Sequence, residues 1–178
     1  AATARQRRQM AERSIEEAIA LRKAPSLTWI DVRGLASELR VARLCKGLGV
    51  HPLATEDVLQ VGTRPKAELF GDHLLVVMKI VHLALEGDDY QVQVEHVPMI
   101  LGEGYLLTFQ EWSEDPFDSV RRHLLEGRGS KRMSRSAGLL HALIDAVVDD
   151  SFEAVERLGR EIESLEARLL EDPPEDAL

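Results

Sequence analysis

Three acidic side chains stand where their charge has a consequence. Glu56 and Asp57 are neighbours in the run Pro52-Leu53-Ala54-Thr55-Glu56-Asp57-Val58-Leu59. Pro52 suits the first position of a helix, and negative charge is tolerated near a helix start. Asp145 lies in Leu143-Ile144-Asp145-Ala146-Val147-Val148, beside an apolar stripe. A carboxylate there requires a partner: an arginine, a neighbouring subunit, or a hard cation bound through oxygen. A solvated face or an ordinary salt bridge is the plainer reading of the same spacing.

Other chemistries find less support. Adjacent carboxylates on a helix diverge by about 100°, poor geometry for acid–base work on a single bond. No Gly-x-Ser-x-Gly elbow occurs, and Gly102 and Gly104 belong to a hairpin rather than to a phosphate-cradling loop. The six histidines form no His-x-x-x-His pair, and Cys45 is the only cysteine. A closed zinc site is therefore not expected. Cys45 reads as a small buried hydrophobe and its solitude fits a reducing compartment. The chain reads as a non-enzyme.

Composition agrees with a cation-facing protein. The 178 residues carry a net charge of −9. The segment from Asp149 to Leu178 holds eleven acidic and three basic residues, which accounts for eight of those nine charges. Such a surface repels nucleic acid and attracts cations. Two basic stretches, Arg5 to Arg8 and Arg121 to Arg135, have no interleaved aromatic side chains and make no base-stacking platform. No signal peptide and no apolar run long enough to span a bilayer is visible.

The elements that must position these acids follow from periodicity. Helices are predicted over 5–23, 35–48, 52–59 and 116–126, and strands over 27–32, 73–84, 90–101 and 104–111. The nearly continuous apolar run of 73–84 marks an interior strand covered on both faces. The last three strands, joined by short turns, suggest an antiparallel meander. From about 134 to 171, apolar residues recur at steps of three and four. That is one helix of roughly 50 Å, longer than so small a domain is wide. The expected fold is α/β: an α/β/α sandwich with a mixed, largely antiparallel sheet and a long C-terminal helix. The expected organisation is a domain over 1–133, the long helix over 134–172 and a tail over 173–178.

Several stretches, taken in order, resemble the CorA family of magnesium and cobalt transporters. They are Trp29-Ile30-Asp31-Val32-Arg33-Gly34, His51-Pro52-Leu53-Ala54-Thr55-Glu56-Asp57-Val58-Leu59, Arg64-Pro65-Lys66-Ala67-Glu68-Leu69-Phe70, Leu106-Leu107-Thr108-Phe109-Gln110-Glu111, and Leu140 to Asp150. The resemblance implies a cytosolic, Mg²⁺-sensing domain on the cytoplasmic face of the inner membrane, cut off before its stalk and membrane helices. It implies a homopentamer whose pore closes when Mg²⁺ sits between neighbouring domains. Glu56 and Asp57 match the family's acidic pair after His-Pro-Leu, and Asp145 matches the aspartate of its Leu-Ile-Asp motif. The regulatory ion would be weakly held Mg²⁺, with Co²⁺ as an alternative. Family members carry seven strands; the short N-terminal segment here implies fewer. A related zinc transporter and a free-standing interaction module are the alternative readings.

Overall fold

A computed structural model describes residues 14–23, 26–35, 37–86, 89–112, 115–126, 133 and 135–171. Five strands form one sheet: β1 (Thr28–Arg33), β2 (Lys66–Phe70), β3 (His73–Glu86), β4 (Asp89–Gly102) and β5 (Tyr105–Gln110). Their order is β1-β5-β4-β3-β2. β2 to β5 run antiparallel as a meander, and β1 joins β5 in parallel at the far edge. The sheet is mixed and largely antiparallel, as the sequence implies.

Helices cover both faces. α1 (Ile15–Ala20), α2 (Glu38–Leu48) and α3 (Pro52–Leu59) lie on one, α4 (Asp118–Leu125) and α5 (Ser136–Glu171) on the other. Alternation along the strands feeds both layers. Leu75, Val77, Ile100, Leu107 and Phe109 meet Val41, Leu44, Ala54 and Val58. Val76, Ile80, Val97, Met99 and Leu106 meet Phe117, Leu139, Leu143 and Val147. β3 is thus buried from both sides. Apolar burial of these side chains, at about 25 cal/mol per Å², is the main force closing the two layers.

The helix ends have local causes. Ser14 and Glu17 form a capping box at the start of α1, each side chain bonding the other's backbone N–H. α2 ends at Gly49, whose φ of 78° is left-handed and costs glycine nothing. α3 begins at Pro52 as its spacing predicts, and His51 Nδ1 accepts from the Leu53 N–H at 3.2 Å. Of the helix expected over 5–23, α1 and a 3₁₀ turn at Leu21–Lys23 fall within the described residues. The expected tail over 173–178, the turn at Gly87-Asp88 and the basic residues Arg5 to Arg8, Arg128, Lys131 and Arg132 lie outside them.

α5 has two halves. As far as Val147 its inner residues are buried against the sheet; beyond Val147 no described residue is buried. Phe152, Val155, Leu158, Ile162, Leu165 and Leu169 continue the apolar stripe into solvent. Among the described residues no helix is long and apolar enough to cross a membrane.

Candidate metal-binding acids

α3 sets the direction of both of its acids. Ala54 and Val58, one turn apart, are the buried positions. Glu56 is 200° from Val58 and exposed, whereas Asp57 is 100° away and half-buried at the rim. Asp57 faces β2. Lys66 and Glu68 alternate onto the side of the sheet that α3 covers, because they pair across to Val77 and Leu75. There Lys66 Nζ donates to Asp57 Oδ2 at 2.7 Å and to Glu68 Oε2 at 3.0 Å. The bonds to Asp57 and then Glu68 raise the Lys66 ammonium above the ordinary lysine value.

The backbone beneath Asp57 is fixed separately. His96 is fully buried in the middle of β4. Its Nε2 bonds the Asp57 carbonyl at 3.1 Å, and Lys79 Nζ donates to its Nδ1 at 3.3 Å. A carbonyl on one nitrogen and an ammonium on the other require the neutral ring with its proton on Nε2. Burial, then the Lys79 charge, lowers the His96 pKa from the ordinary value. Lys79 also donates to the Val61 carbonyl, so both side chains satisfy carbonyls where α3 ends.

Asp145 has apolar neighbours in sequence, yet its side chain is 61% exposed. Leu143 and Val147, two residues to either side, are the buried ones, and two residues of helix turn the side chain about 200° away from each. Asp145 therefore stands on the outer face. Its partner is His141, one turn earlier, with Nδ1 2.9 Å from Oδ2.

The sheet and both its side-chain layers separate α3 from α5, so one chain does not bring Asp57 and Asp145 together. Among the described residues no three His, Cys, Asp or Glu side chains converge on a metal position. The candidate donors that a single chain presents, Glu56, Asp57 and Asp145, are carboxylate oxygens on separate faces. That donor set suits Mg²⁺, which keeps several waters and takes one or two protein carboxylates.

Two further arrangements fix the scaffold. Asp31 Oδ1 accepts from Thr108 Oγ1 at 2.7 Å and Gln110 Nε2 at 3.1 Å, while Oδ2 accepts from Arg121 Nη2 at 3.0 Å. Arg121 also bonds Asp115 and lies 4.7 Å from the centre of the Trp29 ring. The Trp-Ile-Asp-Val-Arg block is thereby a clamp joining β1, β5 and α4. Just past the same end of β5, the buried Glu95 accepts from the Glu111 and Trp112 N–H groups at 2.9 and 3.1 Å. His82, 3.5 Å from Glu95, lies tilted against Trp112, with ring centres 5.0 Å apart, beside a cleft of about 450 Å³ that Asp150, Glu153 and Arg157 of α5 also line. Cys45 is buried, and burial pushes its thiol up to about 11, which fits a core residue rather than a nucleophile.

Sequence reasoning missed Lys66. The signal was present: Lys-x-Glu after a proline, at the period of two that puts both charges on one face of a strand.

This architecture is shared with ion transporters. The complete structure of the CorA magnesium transporter from Methanocaldococcus jannaschii matches at a TM-score of 0.62 and 18% identity, covering 84% of this chain and 45% of that one. The structure of that transporter's soluble domain matches with the same score and identity, covering 58% of its own chain. The fold is therefore that of a CorA soluble domain. The chain belongs to the CorA family: the description "CorA-like Mg2+ transporter protein" matches residues 25–178. The cobalt/magnesium transport protein CorA of Thermotoga maritima is 35% identical over 164 residues, 92% of this chain and 46% of that protein. A putative metal ion transporter of Schizosaccharomyces pombe is 30% identical over 149 residues, 84% of this chain and 18% of that protein. The chain thus spans less than half the length of these relatives.

Proposed function

We propose that this chain is the cytosolic, divalent-cation-sensing domain of a CorA-type Mg²⁺/Co²⁺ transporter, on the cytoplasmic face of the membrane. Asp57 and Glu56 of one subunit, and Asp145 of another, contribute carboxylates to hydrated Mg²⁺ held between copies of a homopentamer. Bound ions tie the subunits together and favour a closed pore; their loss frees the subunits to move. Stalk and membrane helices, supplied by sequence beyond this chain, would carry that movement to the pore.

The observation that supports this reading is the placement of the acids. Asp57 and Asp145 are on opposite faces of the sheet, each at or near the surface. One ion cannot span that layer, but one chain can present Asp57 to one neighbour and Asp145 to another. A ring of copies uses two faces in just that way. Sites with few protein carboxylates hold a divalent cation weakly; the weakest class of Ca²⁺ sites binds at about 10⁻⁴ to 10⁻³ M, and a similar range is expected here.

The test is sedimentation velocity of the chain across a MgCl₂ titration, with ionic strength held constant. Mg²⁺ is expected to raise the sedimentation coefficient, Co²⁺ to do the same, and Asp57→Asn and Asp145→Asn each to remove the response. A Mg²⁺ response that survives both substitutions would refute the assignment.

A further inference from the structure

The acid proposed to sense Mg²⁺ already holds a cation belonging to the protein. Lys66 Nζ is 2.7 Å from Asp57 Oδ2, at charge-assisted hydrogen-bond distance. A magnesium ion at the same carboxylate would lie a few ångströms from that ammonium, and repulsion between the two cations sets them in competition. We propose that Lys66 is a tethered competitor for Mg²⁺ at Asp57, and that its exchange between Asp57 and Glu68 sets the cation concentration at which the site fills. This rests on the assignment of Asp57 as a cation-binding acid.

Three features make exchange feasible rather than prohibitive. Lys66 is one-third exposed, so a hydrated ion can approach from solvent. Glu68 lies two residues along the same face of β2, already 3.0 Å from Nζ. Lys66 released from Asp57 therefore keeps a carboxylate partner and is not left as an unpaired charge. The backbone under Asp57 stays in place throughout, because His96 and Lys79 hold the α3 terminus from below and do not touch the Asp57 carboxylate.

The consequence is quantitative. A site that is competent only part of the time has an apparent dissociation constant raised by the inverse of that fraction. Partly exposed ion pairs are closed only a few-fold more than open. Lys66 should therefore weaken Mg²⁺ binding at Asp57 by about 2- to 5-fold, enough to shift a threshold without abolishing the site. Arginine at the same position would grip a carboxylate with two parallel bonds and compete harder at unchanged charge.

The experiment is a MgCl₂ titration of the 178-residue chain followed by the backbone amide resonances of Asp57 and Val58. Four proteins are compared: the wild type, Lys66→Gln, Lys66→Arg and Asp57→Asn. Lys66→Gln is expected to bind 2- to 5-fold more tightly than wild type, Lys66→Arg more weakly, and Asp57→Asn not at all. The arginine variant separates competition from a general field effect, which would leave it equal to wild type. If the wild type responds and Asp57→Asn does not, while Lys66→Gln binds no more tightly, competition is refuted and Asp57 stands. If Asp57→Asn titrates like the wild type, or if no variant responds, the assignment of Asp57 falls and the competition with it.

Discussion

His96 Nε2 meets the backbone carbonyl of Asp57 at 3.1 Å, tying the middle of β4 to the last turn of α3. Helix ends leave four carbonyls without intrahelical partners, and this bond satisfies one of them inside the protein. The bond holds the backbone from which the Asp57 carboxylate projects. His96→Gln can still donate from its amide, whereas His96→Leu leaves a buried carbonyl unpaired at a cost of about 1–3 kcal/mol. Urea denaturation should show that loss for His96→Leu and a clearly smaller one for His96→Gln. Equal losses would mean that ring packing, not the bond, is what matters.

Arg121 gives the sharpest prediction about the scaffold. Its guanidinium bridges Asp31 and Asp115 and rests on Trp29, in a site where all three charged side chains are mostly buried. Removing the only partner of a buried charge typically costs about 3–5 kcal/mol. Here Arg33 also reaches both aspartates, so the lower end of that range is expected for Arg121→Ala. Arg121→Lys should recover only part of it, because an ammonium lacks the fork that reaches two carboxylates. Urea unfolding read by tryptophan fluorescence reports both the loss and the change around Trp29. A loss under about 1 kcal/mol, the level of exposed pairs, would show that the clamp is solvated in solution.

Much of this fold is legible in the sequence, and the gaps have physical reasons. The buried strands β3, β4 and β5 announce themselves through long apolar runs. β2 does not: Lys66-Ala67-Glu68-Leu69-Phe70 is an edge strand with exposed Ala67, Glu68 and Leu69, so it lacks the hydrophobic signature and is held by its ladder to β3. That β1 joins β5 in parallel is likewise unreadable, since strand order depends on contacts between residues nearly 80 positions apart. The apolar chain neighbours of Asp145 say little about its surroundings, because helix rotation turns its side chain outward. The α1 capping box was readable from Ser14 and Glu17 alone, by their spacing of three. Asp57 is legible as a candidate through its motif, while its pairing with Lys66 depends on the register of β2 on β3.

Acid should weaken the fold through its buried histidines. His73 is buried; its Nε2 lies 2.6 Å from the Tyr105 hydroxyl, which itself bonds the Leu48 carbonyl at 3.2 Å. Burial, then the Arg22 charge, lowers the His73 pKa below its ordinary 6.5. Above 6.5 the ring is neutral whether folded or not, and the full stability is present. As pH falls below 6.5 the unfolded chain takes up a proton that the native ring resists, so stability declines until the folded pKa is reached. The slope is at most about 1.4 kcal/mol per pH unit for one such group. His96, whose pKa is also lowered, acts in the same direction. Denaturation midpoints between pH 7.5 and 5.5 should fall for the wild type and fall less steeply for His73→Gln. Parallel slopes would show that His73 titrates normally.

The two halves of α5 should differ most in their dynamics. Leu139, Leu140, Leu143 and Val147 anchor the first half against the sheet, so their amides can exchange only when the core opens. Beyond Val147 no described residue is buried; Asp150 to Arg157 still line the cleft beside His82 and Trp112, and from Leu158 onward the side chains are almost all exposed. Helical segments of that kind are marginal in water, because propagation gains little per residue without tertiary packing. Hydrogen exchange on the chain should therefore show protection close to global stability over 139–147, and protection lower by at least about 10-fold over 158–170. The gradient carries information about association as well. If Mg²⁺ draws copies together along this arm, the exposed stripe from Phe152 to Leu169 becomes covered and its amides slow, while those of the anchored half stay unchanged. Uniform protection along all of α5 in dilute, Mg²⁺-free solution would mean that the distal half already packs against something, and that the exposed stripe does not describe the chain in solution.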